Sequence, residues 1–242
     1  MPTGIGGEVG WWCPSLDDSG NGTTTLNDLV STKPGTLTNF ALTGSTSNWV
    51  ADTDFGGVRA IDSDGTNDTV RFSQFPALGT GDYTISVWAK VASKAFKCVC
   101  GSLNAGPWYL ATHEDATSGK LQFYDGAYFR STAVWADGTW HHLAVRRSGG
   151  NITLWIDGIQ SSSPAASTAN MTNVQTRLCG ITLSDSFNIA GRVDDFRVFG
   201  LGVSDANLVK LASKRGYQPS SFSDDGGMFG GMSGSMTGGM AS

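Results

Sequence analysis

The chain has 242 residues, with 39% apolar and 10% aromatic side chains, enough to bury a sizeable core in one large β domain. Its 33 glycines against 7 prolines, and its scarcity of Glu and Lys, favour strands and turns over helices. The formal charge is −5 and Lys and Arg never run beyond two in a row, so the basic footprint of a nucleic-acid binder is missing.

The first residues, MPTGIGGEVGWW, lack a basic region and a long apolar run, which predicts no signal peptide. No stretch of about 18 apolar residues predicts a membrane-inserted helix. The expectation is synthesis in the cytoplasm, with action outside the cell or on a particle released by lysis. Residues 17–22, DDSGNG, read as a loop, followed by strands at Val58–Asp62 and Thr69–Phe72 joined through the tight DGTND turn at 64–68. In YTISVWAKV at 83–91, Tyr83, Ile85, Val87, Ala89 and Val91 alternate with Thr84, Ser86, Trp88 and Lys90, the period of a half-buried strand. Further strands are predicted near 96–102, 107–112, 119–124 and 127–134. Residues 137–158 form two alternating runs around a Ser-Gly-Gly-Asn turn at 148–151, a hairpin signal. Late strands fall near 174–182 and 189–199.

One short helix follows. Ser204 can cap it, Leu208, Val209, Leu211 and Ala212 form its apolar stripe, and Lys210, Lys214 and Arg215 suit its C-terminal end before Gly216 stops it. From Gly226 the composition changes to GGMFGGMSGSMTGGMAS, with Met228, Met232, Met236 and Met240 every fourth residue. That tail reads either as low-complexity disorder or as a segment that orders on a virion or self-assembly partner, its polarizable Met side chains filling adaptable grooves. The division is an N-terminal extension at 1–8, a sandwich at 9–219 and the flexible tail at 220–242.

The cysteines are Cys13, Cys98, Cys100 and Cys179. Cys98 and Cys100, two apart, are expected on one face of a strand, where they are poorly placed to bridge. No second close pair completes a metal knuckle, so free, partly buried thiols are the expectation.

Several words occur in order: DGTNDTV at 64–70, YTISVWAK at 83–90, DGTWHHLAVRR at 137–147, ITLWIDG at 152–158, and GRVDDFRVF at 191–199 before the capped helix. From about Val9 to Tyr217 the chain resembles the laminin-G-like, concanavalin A-like jelly-roll family. The resemblance implies an all-β fold of two stacked antiparallel sheets, often a calcium site, and binding to glycans or proteins. Trp11, Trp88, Trp140 and Trp155 sit in strand words and are expected in the core or its edge. Asp194 and Asp195 are adjacent, so only one is expected to point inward, where it needs a cation or hydrogen-bond donors.

The DDSGNG loop supplies the oxygens that a hard cation wants. Through its likeness to the family's N-terminal SGNG loop, it pairs Asp18 and Asn21 with Asp194 as a structural Ca2+ site. A metal-free Asx turn is the alternative. Asp64, Asn67 and Asp68 form a second candidate. The fold also hosts glucanases, but their carboxylate pair needs Glu in an ExDxxE strand, and here only Glu8 and Glu114 exist. No GxSxG elbow is present, so no catalytic set is assigned and a non-enzyme is expected. His141 and His142 should face opposite sides of a strand, with His142 a hydrogen-bonded structural residue.

Sugar binding needs an aromatic platform with planar polar groups. Trp108, Tyr109, Tyr124, Tyr128 and Trp135 are the mid-chain aromatics, with His113, Asp115 and Arg130 near them. Trp108, Tyr128 and Trp135 are expected to be the exposed subset, completed by His113 and Arg130. Two functions stay open: a lectin-like adhesion module for a glycan or cell-surface polymer, and a structural particle protein, such as a phage decoration or fibre component, whose sandwich and tail mediate assembly.

Overall fold

The computed structural model describes residues 4–104, 106–113, 117–172, 175–181 and 184–219. The tail with its methionine repeat, and Glu114 and Asp115, lie outside them. In chain order the strands are β1 (Glu8–Trp12), β2 (Thr25–Leu26), β3 (Gly35–Thr38), β4 (Asn48–Ala51), β5 (Arg59–Asp64), β6 (Thr69–Phe72), β7 (Tyr83–Val91), β8 (Cys98–Ser102), β9 (Trp108–Thr112), β10 (Lys120–Tyr124), β11 (Tyr128–Val134), β12 (Trp140–Ser148), β13 (Asn151–Ile156), β14 (Ile159–Gln160), β15 (Ala165–Ala166), β16 (Thr176–Leu178) and β17 (Ala190–Phe199), followed by helix α1 (Asp205–Leu211).

They build two antiparallel sheets. Sheet A runs β14-β13-β12-β7-β17-β5-β4, with β1 added to β17 and β15 to β13; sheet B runs β11-β10-β9-β8-β16-β6-β3-β2. Between them lies one apolar core that takes alternate residues of each strand, such as Ile85, Val87 and Val145 from sheet A and Leu110, Leu121 and Phe123 from sheet B. Each such side chain contributes about 1.5–3 kcal/mol by leaving water. This is the two-sheet sandwich that the alternation predicts. The hairpin at 148–151 is present, with Ser148 facing Asn151 and Gly149 and Gly150 both at positive φ, as a two-residue turn that follows strand twist requires.

Four local expectations are corrected. The turn at 64–68 does not join neighbouring strands, because β5 belongs to sheet A and β6 to sheet B. β7 is buried on both faces rather than half-buried. Its second face is covered by the chain after β17: the Thr84 hydroxyl donates to the Leu201 carbonyl, and Trp88 Nε1 donates to the Leu211 carbonyl at 3.2 Å. Trp155 packs there with Phe199, Leu208 and Leu211, on the side of sheet A away from the main core. Cys98 and Cys100 do not share a face: a register shift between them puts Cys100 in the main core and Cys98 on the opposite side with Tyr109 and Ile181. All four cysteines are free and buried, and burial pushes their thiols up.

Ser204 caps α1 as expected, accepting from the Asn207 N–H. The stripe is narrower than predicted, since Val209 is exposed. Arg215 does not serve the helix end; it turns inward and is fully buried.

Candidate functional site

Strand parity decides which mid-chain aromatics can meet a ligand. On β9, Trp108 and Leu110 point into the core, so Tyr109 and Ala111 point out of sheet B. On β10, Leu121 and Phe123 point in, leaving Gln122 and Tyr124 outside. Trp108 and Trp135 are 1% and 0% exposed, and so cannot form a surface platform. Trp108 instead packs against Phe75 in a tilted contact, ring centroids 5.5 Å apart. Of the expected exposed subset only Tyr128, 51% exposed, is open to solvent.

Tyr128 stands beside two further tyrosines, the half-buried Tyr124 and the buried Tyr109, which is 7% exposed. Tyr109, Tyr124 and Tyr128 stand directly opposite one another across β9, β10 and β11. Ring centroids are 5.2 Å apart for Tyr109–Tyr124, nearly parallel, and 4.9 Å for Tyr124–Tyr128. With Phe96, Leu103 and Phe187 they line an open cleft of about 450 Å³. Gln122 forms its polar neighbour: its Nε2 donates to Tyr109 Oη at 3.4 Å, and its Oε1 accepts from Arg130 Nε at 3.2 Å. The Arg130 guanidinium lies 5.2 Å from the Tyr128 ring centre. Burial, and Tyr128 beside it, push the Tyr109 phenol up, so it serves as a neutral hydroxyl. His113 follows β9 at its far end, its backbone N–H on the Lys120 carbonyl, and is not among the cleft's lining.

The same row continues the other way. Tyr109 faces Gly101 on β8, Gly101 faces Arg177 on β16, Arg177 faces Arg71 on β6, and Arg71 faces Thr36 on β3. A second cleft of about 440 Å³ lies at that end, lined by Thr36, Arg71, Asn104, Gln175 and Arg177 among others. The sequence places Tyr109 and Tyr124 among the mid-chain aromatics but not in the expected exposed subset, and it does not point to this polar half. The signal for the tyrosines was the parity of Trp108 against Leu110 and of Leu121 against Phe123.

The expected calcium residues do not converge. Asp18 points outward and is held by Arg59, both of whose terminal nitrogens lie 3.0 Å from Oδ1. Asn21 is exposed. Asp17 closes the loop instead, accepting from the Gly20 and Asn27 N–H groups. Asp194 is fully buried beneath Ser15, whose hydroxyl donates to it at 2.5 Å, and Arg215 Nη1 lies 3.3 Å away. Burial, with Asp195 adjacent, pushes Asp194 up to about 6. Both acidic neighbours face inward, against expectation, because a bulge interrupts β17 between Asp194 and Arg197 and Asp195 takes a positive φ. Asp195 accepts from Trp11 Nε1, Arg197 Nε and the Gly216 N–H.

Guanidinium groups thus sit against these carboxylates, a donor set that does not fit a calcium ion, which wants several free oxygens. Among the described residues no three His, Cys, Asp or Glu side chains gather as metal ligands. In the second candidate loop Asp64 and Asp68 close their own turn: Asp64 accepts from Thr66 N–H and Asp68 from Asp64 N–H. The melting temperature is therefore expected to be unchanged between millimolar calcium and chelator. A rise that grows with calcium concentration, as mass action demands of an ion held only by the folded state, would restore the site.

The histidines divide as strand geometry predicts. His141 lies between Asp157 and Asp137, which raise its pKa. His142 is buried against Trp88, and among the described residues its ring nitrogens find no hydrogen-bond partner, contrary to expectation.

The family described as the concanavalin A-like lectin/glucanases superfamily matches residues 64–208, more than half of the chain. No curated protein matches it. Similar solved structures include domain 4 of AbnA, a GH43 extracellular arabinanase from Geobacillus stearothermophilus in complex with arabinotriose. That domain is 16% identical with TM-score 0.62, covering 85% of this chain and 98% of its own. The binding domain of Paraclostridial Mosquitocidal Protein 1 is 13% identical with TM-score 0.65, covering 85% of this chain and 52% of its own. A Trypanosoma rangeli sialidase is 12% identical with TM-score 0.58, covering 85% of this chain and 32% of its own. The chain thus spans about half of the mosquitocidal structure and a third of the sialidase.

Proposed function

The chain belongs to the concanavalin A-like lectin/glucanases superfamily, and from that premise we propose that it is a non-catalytic recognition module binding a glycan or surface polymer on the outer face of sheet B. The observation that carries this reading is the row of Tyr109, Tyr124 and Tyr128 over three adjacent strands. A sugar's C–H face stacks on the exposed Tyr128 ring and the half-buried Tyr124 ring, with the exposed Arg130 beside them, while buried Gln122 and Tyr109 form the base that holds them in place. Strands fix the spacing, so the platform is pre-formed and little ordering entropy opposes binding.

Two further points support the reading. The arabinanase domain, which this chain covers almost end to end, carries arabinotriose. Glycoside hydrolysis normally requires two carboxylates about 5–10 Å apart, and the described lining of both clefts contains none. Glu8 is already committed to the Ile5 and Gly6 N–H groups and lies 3.5 Å from Arg197.

A glycan array followed by calorimetry on the tightest binder tests this. Tyr128→Ala, at an exposed position, is expected to leave the melting temperature unchanged and weaken binding roughly tenfold, the scale of one lost aromatic contact. Tyr124→Ala should cost more, since that ring touches both others. Full affinity in both variants, or no glycan bound at any concentration, would overturn the reading.

A further inference from the structure

We propose that the polymer bound on this face is anionic, an acidic polysaccharide lying across the strands with its rings on the tyrosines and its carboxylates at Arg71 and Arg177. The inference rests on the recognition reading above and adds the substrate class.

Arg71 and Arg177 are directly opposed across β6 and β16 on the outer face. Like charges in that position repel. Arg177 is compensated at one nitrogen, which contacts Asp185 at 2.8 Å and the Ile181 carbonyl at 3.0 Å. Arg71 is not. Its guanidinium is exposed, its one described hydrogen bond is a long 3.5 Å contact from Nε to Thr69, and it has no ion pair among the described residues. The cleft around it offers hydroxyls, amides and guanidinium groups, from Thr36, Thr38, Ser73, Asn104 and Gln175, with no carboxylate among its lining. A planar anion that accepts from a guanidinium fork is the chemistry that complements this end.

The two clefts share no described lining residue, but the strand register joins them in one row. Gly101 lies between Arg177 and Tyr109 in the row and has no side chain to divide them. A Cβ there would fall 2.6 Å from both Tyr109 Cβ and the Trp108 carbonyl oxygen. Arg71 and Tyr128 are five strands apart, roughly 24 Å at the usual inter-strand spacing. That span suits an extended oligosaccharide rather than a single sugar.

The test titrates the full chain with polygalacturonate, dextran sulfate, neutral arabinan and single-stranded DNA, at about 50 and 500 mM NaCl, the range over which exposed charges become screened. Polygalacturonate is expected to bind at least tenfold more tightly than arabinan at low salt. Arg71→Ala should abolish that preference and its salt dependence while leaving arabinan binding unchanged. Dextran sulfate binding with the same Arg71 dependence would support an anion site and widen its class to sulfates. Equal affinity for polygalacturonate and arabinan, indifferent to Arg71→Ala but lost in Tyr128→Ala, would overturn the inference and leave the recognition reading standing. Binding to neither polymer would overturn the inference, and with a blank glycan array it would overturn the recognition reading as well. Tighter binding to DNA than to any polysaccharide would overturn the inference in favour of a nucleic acid.

Discussion

Arg215→Ala is expected to remove about 3–5 kcal/mol of folding stability, the usual result of deleting one partner of a buried ion pair. For a chain this long that is a fall of the order of 10 °C in Tm. The guanidinium is fully buried and holds two carboxylates, Asp52 at 2.9 Å and Asp194 at 3.3 Å. It also donates to the Asp54 carbonyl and lies 4.2 Å from the Trp140 ring centre. Burial alone would push Asp52 up; Arg192, Arg215 and Trp140 carry it below the ordinary carboxylate value. Removing Arg215 leaves Asp194 beside Asp195 with no guanidinium of its own. Urea denaturation at pH 7 measures the loss. Asp194→Asn in the Arg215→Ala background should recover part of it, because the two sites are coupled. A loss below about 1 kcal/mol would mean that water or rearrangement satisfies these carboxylates.

The second large effect is pH-dependent. Burial lowers the pKa of His142 from the ordinary 6.5 to about 4. A depressed folded-state value means that the neutral ring is the native form. Its contribution is complete above pH 6.5 and is lost as pH falls through that value toward 4, where the unfolded chain takes up a proton that the folded chain refuses. The shift corresponds to about 3 kcal/mol. His142→Phe should therefore lose less stability than the parent between pH 7 and pH 4.5, by up to that amount. The difference between the two proteins is the quantity to measure. Asp194, raised to about 6 by burial and Asp195, works oppositely: its contribution is present at low pH and fades as pH rises through about 6. His141, raised chiefly by Asp157, also contributes below its unfolded value and loses that contribution as pH rises, but its acidic partners are substantially exposed, which keeps the effect small. Parallel pH profiles for parent and His142→Phe would show that the ring is solvated in the native state.

The sandwich was legible because alternation is a local signal: Tyr83 to Val91, the glycine turn at 149–150 and the capped helix each announce themselves within a dozen residues. Burial of the second face of sheet A was not, since what covers Trp88 and Trp155 is a helix more than fifty residues later. The same distance hides Arg215, which reads as a helix-end cation and becomes the counter-ion of Asp52 and Asp194. The tyrosine row was half legible. Parity within β9 and β10 distinguishes Tyr109 from Trp108, but residue type pulls the other way, because tryptophan is the familiar stacking surface. Arg71 and Arg177 could not be joined from sequence: a hundred residues separate them, and only strand order brings them together.

One consequence follows from where the chain is fastened. β1 pairs with β17, Gly7 accepts from the Gly200 N–H, and the Tyr217 carbonyl accepts from Arg197, so both ends of the described fold are secured to sheet A. The tyrosine row faces out of the opposite sheet. The described fold therefore begins and ends on the side of the molecule behind that row. Copies mounted side by side on a common support would all present their rows outward, and the gain from many weak contacts with one long polymer would depend on the spacing between copies rather than on any turning of the domain.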